Sequence, residues 1–198
     1  DAVCVTAMIG AYALAGDLNA ALALLRQMAQ EPFGVSTQAV SSLLTACASA
    51  GDLATGERVA ALWRKSGAFS EFVTAALINM YGRCGTIQQA RLVFDSVEKP
   101  DAVCYATMIG LYSRAGDVIS ALDLIERMAQ EPFGVSAYAV SSLLSACASA
   151  ADLATGERVA ALWRETGASS EFVTAALIDM YGKCGLPDQA RSLFDSAP

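Results

Sequence analysis

Glu71–Gly85 reads EFVTAALINMYGRCG, and Glu171–Gly185 repeats it as EFVTAALIDMYGKCG. Val73, Leu77, Tyr81 and Cys84 step by four, four and three, the spacing of one helical face. Gly85 offers the left-handed residue that stops a helix, and Thr86 is an N-cap for the next one, TIQQARLVFDSV. The unit is therefore a helix, a tight turn and a second helix. Sliding the chain by one hundred residues matches about 70% of aligned positions, which marks an internal duplication. Within each copy a shorter period recurs. Helix-stopping glycines stand at Gly16, Gly51, Gly85, Gly116 and Gly185, with Ala151 in the sixth slot. Those slots lie roughly 31 to 35 residues apart, the range of helical-hairpin solenoids.

Apolar spacing predicts paired helices over Val3–Ala15 with Leu18–Gln30, Ala39–Ala50 with Leu53–Lys65, and Glu71–Cys84 with Ile87–Val97. The second copy repeats them as Val103–Ala115 with Val118–Gln130, Ala139–Ala150 with Leu153–Glu165, and Glu171–Cys184 with Pro187–Ser196. Asp17, Asp52, Asp117 and Asp152 follow the stops as caps for the second helices. Trp63 is placed to pack between neighbouring hairpins. At Ala151 two turns are open: a strained left-handed one, or a right-handed one that spares the alanine. The expected fold is all-α, an α-solenoid of six hairpins whose shared core no single hairpin can build alone.

The chain has 198 residues, 55% of them hydrophobic, yet no run of apolar residues is long enough to span a membrane. Thirteen basic and 20 acidic residues leave a net charge of −7, which weighs against a tight grip on RNA and leaves room for a local basic stripe. The six cysteines form no CxxC pair and histidine is absent, so no metal or cofactor site is expected. They read as small buried hydrophobes in a reducing compartment. Without histidine the usual general base is missing, and no enzymatic activity is expected. Asp1 aligns with Asp101 and Pro198 with Glu98, so the chain reads as a piece of a longer array, with end-to-end self-association expected of it.

Three phrases carry a family resemblance: VTAMIGAYALAGDLNAALALLRQM (Val5–Met28), LLTACASAGDLATGERVAALWRKSG (Leu43–Gly67) and ALINMYGRCGTIQQARLVFDSV (Ala76–Val97). Together they resemble the ordinary, long and short motifs of the pentatricopeptide repeat family, in its PLS class. The resemblance implies a right-handed superhelix with the first helices on the inner face. It implies motifs at 2–36, 37–70, 71–101, 102–136, 137–170 and 171–198. It also implies binding of single-stranded RNA, about one base per repeat, in a mitochondrion or plastid.

Under that resemblance the base-reading pairs are Thr6 with Ser36, Ser41 with Ser70, Ala75 with Asp101, Ala106 with Ser136, and Ser141 with Ser170, while Ala175 stands without its partner. Alanine neither donates nor accepts, so the implied base code is weak or degenerate. The base-stacking slots fall on Val3, Gln38, Phe72, Val103, Tyr138 and Phe172. Phe72 and Phe172 either stack on bases or seal the hairpins, since buried aromatics commonly serve packing. Phosphate contact falls on Arg83, Arg114 and Lys183, with Leu14 and Ser49 in other such slots; ordinary solvated charge at a helix C-terminus is the alternative. Two functions follow. One is an RNA-binding module of an organellar RNA-processing or editing factor, working with a protein cofactor or effector domain. The other is a protein-binding scaffold in an organellar complex.

Overall fold

A computed structural model describes residues 1–196. Its twelve helices make six hairpins in two compact units, residues 1–100 and from Asp101 onward. The expected motif 171–198 ends at residues outside the described ones. The first unit comprises α1 (Ala2–Ala15), α2 (Leu18–Met28), α3 (Thr37–Ala50), α4 (Leu53–Ser66), α5 (Glu71–Cys84) and α6 (Ile87–Asp95). The second comprises α7 (Ala102–Ala115), α8 (Val118–Ala129), α9 (Ala137–Ala150), α10 (Leu153–Glu165), α11 (Glu171–Lys183) and α12 (Pro187–Ser196).

Several first helices begin one or two residues before their apolar pattern does, because caps rather than core residues set their starts. Asp1 accepts from the Val3 amide at 3.0 Å, Ser36 from Ala39 at 3.0 Å, Asp101 from Cys104 at 2.8 Å and Ser136 from Ala139 at 3.2 Å. The second helices α2, α6 and α8 end one or two residues before the expected Gln30, Val97 and Gln130. Asp17, Asp52, Asp117 and Asp152 cap their helices as expected.

In the first unit α3 packs between α1 and α5, and α2 and α4 pack behind them. Leu22, Leu25, Leu43, Leu44, Val59 and Trp63 meet in one buried cluster. In the second unit α9 takes the place of α3, with Leu143 and Leu144 fully buried. Each core is continuous across hairpins, as the solenoid reading requires.

Two turns differ from their sequence reading. Gly85 is not left-handed; its φ is −109°. Thr86 and Gln89 form a reciprocal capping box there, and a Cβ on residue 85 would stand 2.3 Å from the Gln89 side-chain oxygen. A side chain at 85 would displace the Gln89 amide from that box. In the second copy Leu186 replaces Thr86, and Gly185 does turn left-handed, at φ +79°. Ala151 is left-handed at φ 52°, the only such non-glycine among the described residues. That selects the strained turn and overturns the right-handed alternative.

The cysteines divide. Cys47, Cys104 and Cys147 are buried, Cys84 and Cys184 are half-buried, and Cys4 is exposed. The reading of six buried hydrophobes therefore fails at Cys4, which lies in the first turn of α1 on its open side.

Candidate nucleic-acid interface

Each hairpin's first helix carries one stacking candidate two residues into its helix or loop entry, and all six are exposed. Phe72 is 72% and Phe172 79% exposed; Val3, Gln38, Val103 and Tyr138 are open as well. The reading in which Phe72 and Phe172 seal the hairpins is overturned, since an exposed ring buries little against its neighbours.

The walls of two grooves, α1 with α3 and α7 with α9, are almost free of charge, whereas α5 carries Glu71 and Arg83 and α11 carries Glu171, Asp179 and Lys183. Helices α1, α3 and α9 hold no charged side chain, and α7 holds only Arg114. The excess of acid lies elsewhere. Residues 1–100 carry seven basic and eight acidic side chains, while residues 101–198 carry six and twelve. Most of the second copy's acid sits on its second helices and connectors, so the net charge does not line the α1/α3 and α7/α9 walls, while α11 keeps Glu171 and Asp179.

Between α1 and α3 runs a groove of about 920 Å³, lined by Thr6, Gly10, Leu14, Gln38, Thr45 and Ser49 among others. Its counterpart between α7 and α9 is about 660 Å³, lined by Gly110, Ser113, Arg114, Ser145 and Ser149 among others. Both floors carry a hydroxyl ladder that sequence reading missed. Thr45 donates to the Ser41 carbonyl at 2.8 Å and Ser49 to the Thr45 carbonyl at 3.1 Å; Ser145 and Ser149 do the same at 2.9 and 3.0 Å. Their hydrogens face the backbone, so their lone pairs are left to accept. The signal was legible as Ser-Thr-Ser at steps of four in α3, and Ser-Ser-Ser in α9.

The second groove also holds a cation. A Cβ on Gly110 would lie 3.2 Å from the Tyr138 hydroxyl and 3.6 Å from Arg114 Nη1, so both side chains converge over that glycine. Ser113 lies beneath with its hydroxyl buried and unpaired among the described residues. A ring and a guanidinium suit a nucleotide's base and phosphate.

The base-reading candidates are placed unevenly. Thr6 donates to the Ser36 hydroxyl at 3.1 Å, so this pair is assembled. Ala106 and Ser136 are half-buried, with no such bond open to alanine. Ser41 and Ser141 each donate to a carbonyl three residues back, at 3.2 Å. Ser70 and Ser170 precede α5 and α11 without a side-chain cap bond. Ala75 is buried at 8% exposure, whereas Ala175 is exposed. Ala75 and Asp101 belong to different units; Asp101 is occupied as the cap of α7.

Of the phosphate candidates, Arg83 and Arg114 are exposed and make no ion pair among the described residues. Lys183 donates to Asp179 at 2.8 Å. Asn79 stands at that slot in the first copy, so Arg83 keeps its full charge.

The sequence pattern of the pentatricopeptide repeat matches residues 3–33, 103–133 and 175–197. A mitochondrial pentatricopeptide repeat-containing protein of Arabidopsis thaliana is 35% identical over 199 residues, covering 99% of this chain and 29% of its own length. A chloroplastic one of the same plant is 32% identical over 195 residues, covering 98% of this chain and 32% of its own. The chain thus spans about a third of the length of these relatives. Among solved structures, the pentatricopeptide repeat protein PPR10 in complex with an 18-nt psaJ RNA element superposes with a TM-score of 0.68 at 21% identity, over 98% of this chain and 28% of that one. At that identity the likeness concerns the fold, an α-solenoid.

Proposed function

We propose that this chain, which belongs to the pentatricopeptide repeat family, is a single-stranded RNA-binding module of an organellar RNA-processing or editing factor. One observation carries the reading: an exposed side chain recurs at the same slot of every first helix, and the α1/α3 and α7/α9 groove walls beside four of them hold a single charge, Arg114. Unstacked bases meet Phe72, Tyr138 and Phe172 face on, at roughly 1–3 kcal/mol each. Arg83 and Arg114 hold phosphates. Lys183 contributes less, because Asp179 already neutralises it.

The finer assignments belong to the same proposal. The motifs follow the PLS order at 2–36, 37–70, 71–101, 102–136, 137–170 and 171–198. Thr6 with Ser36, Ser41 with Ser70, and Ser141 with Ser170 read base edges. Ala106 with Ser136 and Ala175 read weakly, and the burial of Ala75 takes the pair it forms with Asp101 out of direct readout. The module binds and positions, and any bond-breaking step falls to an effector domain or protein cofactor. Mitochondrion or plastid is the compartment, in line with the relatives named for each.

The test is fluorescence anisotropy on a panel of single-stranded RNAs at several salt concentrations. Binding should weaken as salt rises, because phosphate contacts release counterions. Phe72→Ala, Tyr138→Ala and Phe172→Ala should each weaken it by about 1–3 kcal/mol. Arg114→Glu should weaken all RNAs alike and flatten the salt dependence more than Lys183→Glu does. No binding at low salt by the folded chain would sink the reading.

A further inference from the structure

The ends of α3 and α5 meet through a pair of thiols that the RNA reading does not use. The Cys47 carbonyl lies in the last turn of α3, where it accepts from the Gly51 amide and, at 3.1 Å, from the Asp52 amide. It also accepts from the Cys84 thiol at 3.3 Å. Cys84 is the last residue of α5, so its sulfur touches the backbone of another cysteine on the neighbouring helix. A disulfide joins Cα atoms about 4.4–6.8 Å apart, and contact between one cysteine's sulfur and the other's carbonyl is a separation of that order. Both side chains belong to one packed cluster, with Cys47 fully buried and Cys84 half-buried at its margin.

The duplication supplies a control. The second copy carries the same two residues, Cys147 and Cys184, in a different geometry. There α11 stops at Lys183, Cys184 becomes its cap at φ −82°, and Gly185 turns left-handed. In the first copy α5 runs on through Cys84, and the capping box of Thr86 and Gln89 holds the turn beyond it. Among the described residues the thiol-to-carbonyl bond occurs in the first copy alone. Both copies carry the two cysteines, and one of them brings the sulfur onto its partner.

We infer that Cys47 and Cys84 form a dithiol latch: exchange with a low-molecular-weight disulfide, such as oxidised glutathione, joins them and ties the end of α3 to the end of α5. The half-buried Cys84 is the thiol that a solvent oxidant reaches. Its thiolate attacks one sulfur of the small disulfide, and the other half leaves as a thiolate. The Cys47 thiolate then attacks the Cys84 sulfur and expels the second half. Two protein thiols are oxidised to one disulfide, and one small disulfide is reduced to two thiols. The two protons lost by the cysteines pass to the two leaving thiolates. A thiol reductant runs the exchange backwards. Burial, then Asp52 and Cys84, push the Cys47 thiol up to about 12. Burial raises Cys84 too, with Arg83 opposing and Asp52 adding to it. Little thiolate is therefore present near neutral pH, so the latch closes slowly there and faster in alkali. The inference stands independently of the RNA reading, since it uses the thiols alone.

The experiment incubates the folded chain with oxidised glutathione at about pH 8, quenches in acid, blocks remaining thiols with N-ethylmaleimide in urea and cuts with trypsin. Trypsin leaves Cys47 on residues 27–58 and Cys84 on residues 84–91, so mass spectrometry reads the link directly. The linked pair of peptides should exceed every other cysteine pairing at least about tenfold, because proximity makes the second exchange intramolecular. The Cys147–Cys184 pair should lag behind it. A higher pH should speed closure, and dithiothreitol should undo it. Cys47→Ala should leave Cys84 as its mixed glutathione disulfide, and Cys84→Ala should leave Cys47 a free thiol. If Cys47→Ala loses its cooperative melt, the linked peptides of the unsubstituted chain decide alone. Oxidation of the same chain in urea should abolish the preference, since the unfolded chain no longer holds the two sulfurs together. Four results would each overturn the inference: Cys84 stopping at the mixed disulfide in the unsubstituted chain, both cysteines recovered with maleimide, a Cys147–Cys184 link that leads, or an equal preference in urea.

Discussion

The two units share about 70% of their aligned residues. Their cores match: Leu43 and Leu143, Cys47 and Cys147, Val59 and Val159 are all fully buried. Their surfaces do not. The first unit has Arg26 and Arg58 where the second has a salt bridge between Glu126 and Arg158. The first has Leu14 and Gln38 along its groove where the second has Arg114 and Tyr138. The difference teaches that hairpin packing fixes a small set of apolar positions and leaves the faces free to specialise. The second unit concentrates a cation and a ring on its first helices while growing acidic outside. The first keeps a nearly neutral balance.

If the cores are equivalent, breaking them should be equivalent too. Leu43→Ala and Leu143→Ala each remove a fully buried side chain from the middle helix of a unit. Each should cost about 2–5 kcal/mol of stability, measured by urea unfolding, and the two costs should agree within about 1 kcal/mol. A large disagreement would show that one core repacks more freely than the other.

Alkali should strike both units alike. Burial, with Asp52 nearby, pushes the Cys47 thiol from 9.0 up to about 12, and burial beside Asp152 does the same for Cys147. Below the ordinary value both thiols are protonated in the folded and the unfolded chain. As pH rises from about 9 towards 12, only the unfolded chain ionises, so stability falls by about 1.4 kcal/mol per pH unit for each thiol. Melting between pH 8 and 10.5 checks this. Cys47→Ala and Cys147→Ala should each remove one share of the slope, and an unchanged slope would count against the burial of that thiol.

The turn at 151 breaks the equivalence. Gly51 sits at φ 72° without strain, whereas Ala151 holds φ 52° with a Cβ. Ala151→Gly should stabilise the second unit by about 1 kcal/mol, the left-handed cost less the entropy of a freer unfolded chain. Gly51→Ala should destabilise the first by a similar amount. Thermal melts of both variants decide, and a lower melting temperature for Ala151→Gly would mean that the alanine is not strained.

Helix number, pairing and most ends were legible because they rest on local periodicity and on glycine or aspartate punctuation. Starts slipped where the cap, such as Ser36 or Ser136, stands ahead of the first apolar residue. The role of Gly85 was hidden because the group that crowds its Cβ position, the Gln89 amide, comes from a side chain four residues on. In the candidate interface, composition could not say that acid gathers on the second copy's outer helices, nor that Phe72 is open while Ala75 is buried. Both depend on which face of a helix meets its neighbours. The pairing of Lys183 with Asp179 was readable as an i, i+4 pair, and so was its absence at Arg83 and Asn79.

The smallest effect concerns one hydroxyl. In the first unit Thr6 donates to Ser36, whose oxygen also accepts from the Ala39 amide. The Ser36 hydrogen is then left to donate and the Thr6 lone pairs to accept, an edge that a base can match. In the second unit the threonine has shifted by one residue. Ala106 faces the Ser136 slot, and Thr107 donates to the Val103 carbonyl at 2.7 Å. Ala106→Thr should rebuild the first unit's pair, because Ser136 already accepts from Ala139 just as Ser36 does from Ala39. The new hydrogen bond contributes about 0.5–1.5 kcal/mol, and threonine's poorer helix propensity takes back about half of that. Stability should therefore move by less than about 1 kcal/mol. The informative readout is base preference at a single register, compared between parent and variant on RNAs that differ at one nucleotide. A preference of a few-fold should appear in the variant, and Thr6→Ala should remove its counterpart in the first unit. If Ala106→Thr stays folded and binds all four bases alike, while Thr6→Ala also changes nothing, the hydroxyl pair is a structural tie between hairpins and base reading lies elsewhere on the first helices.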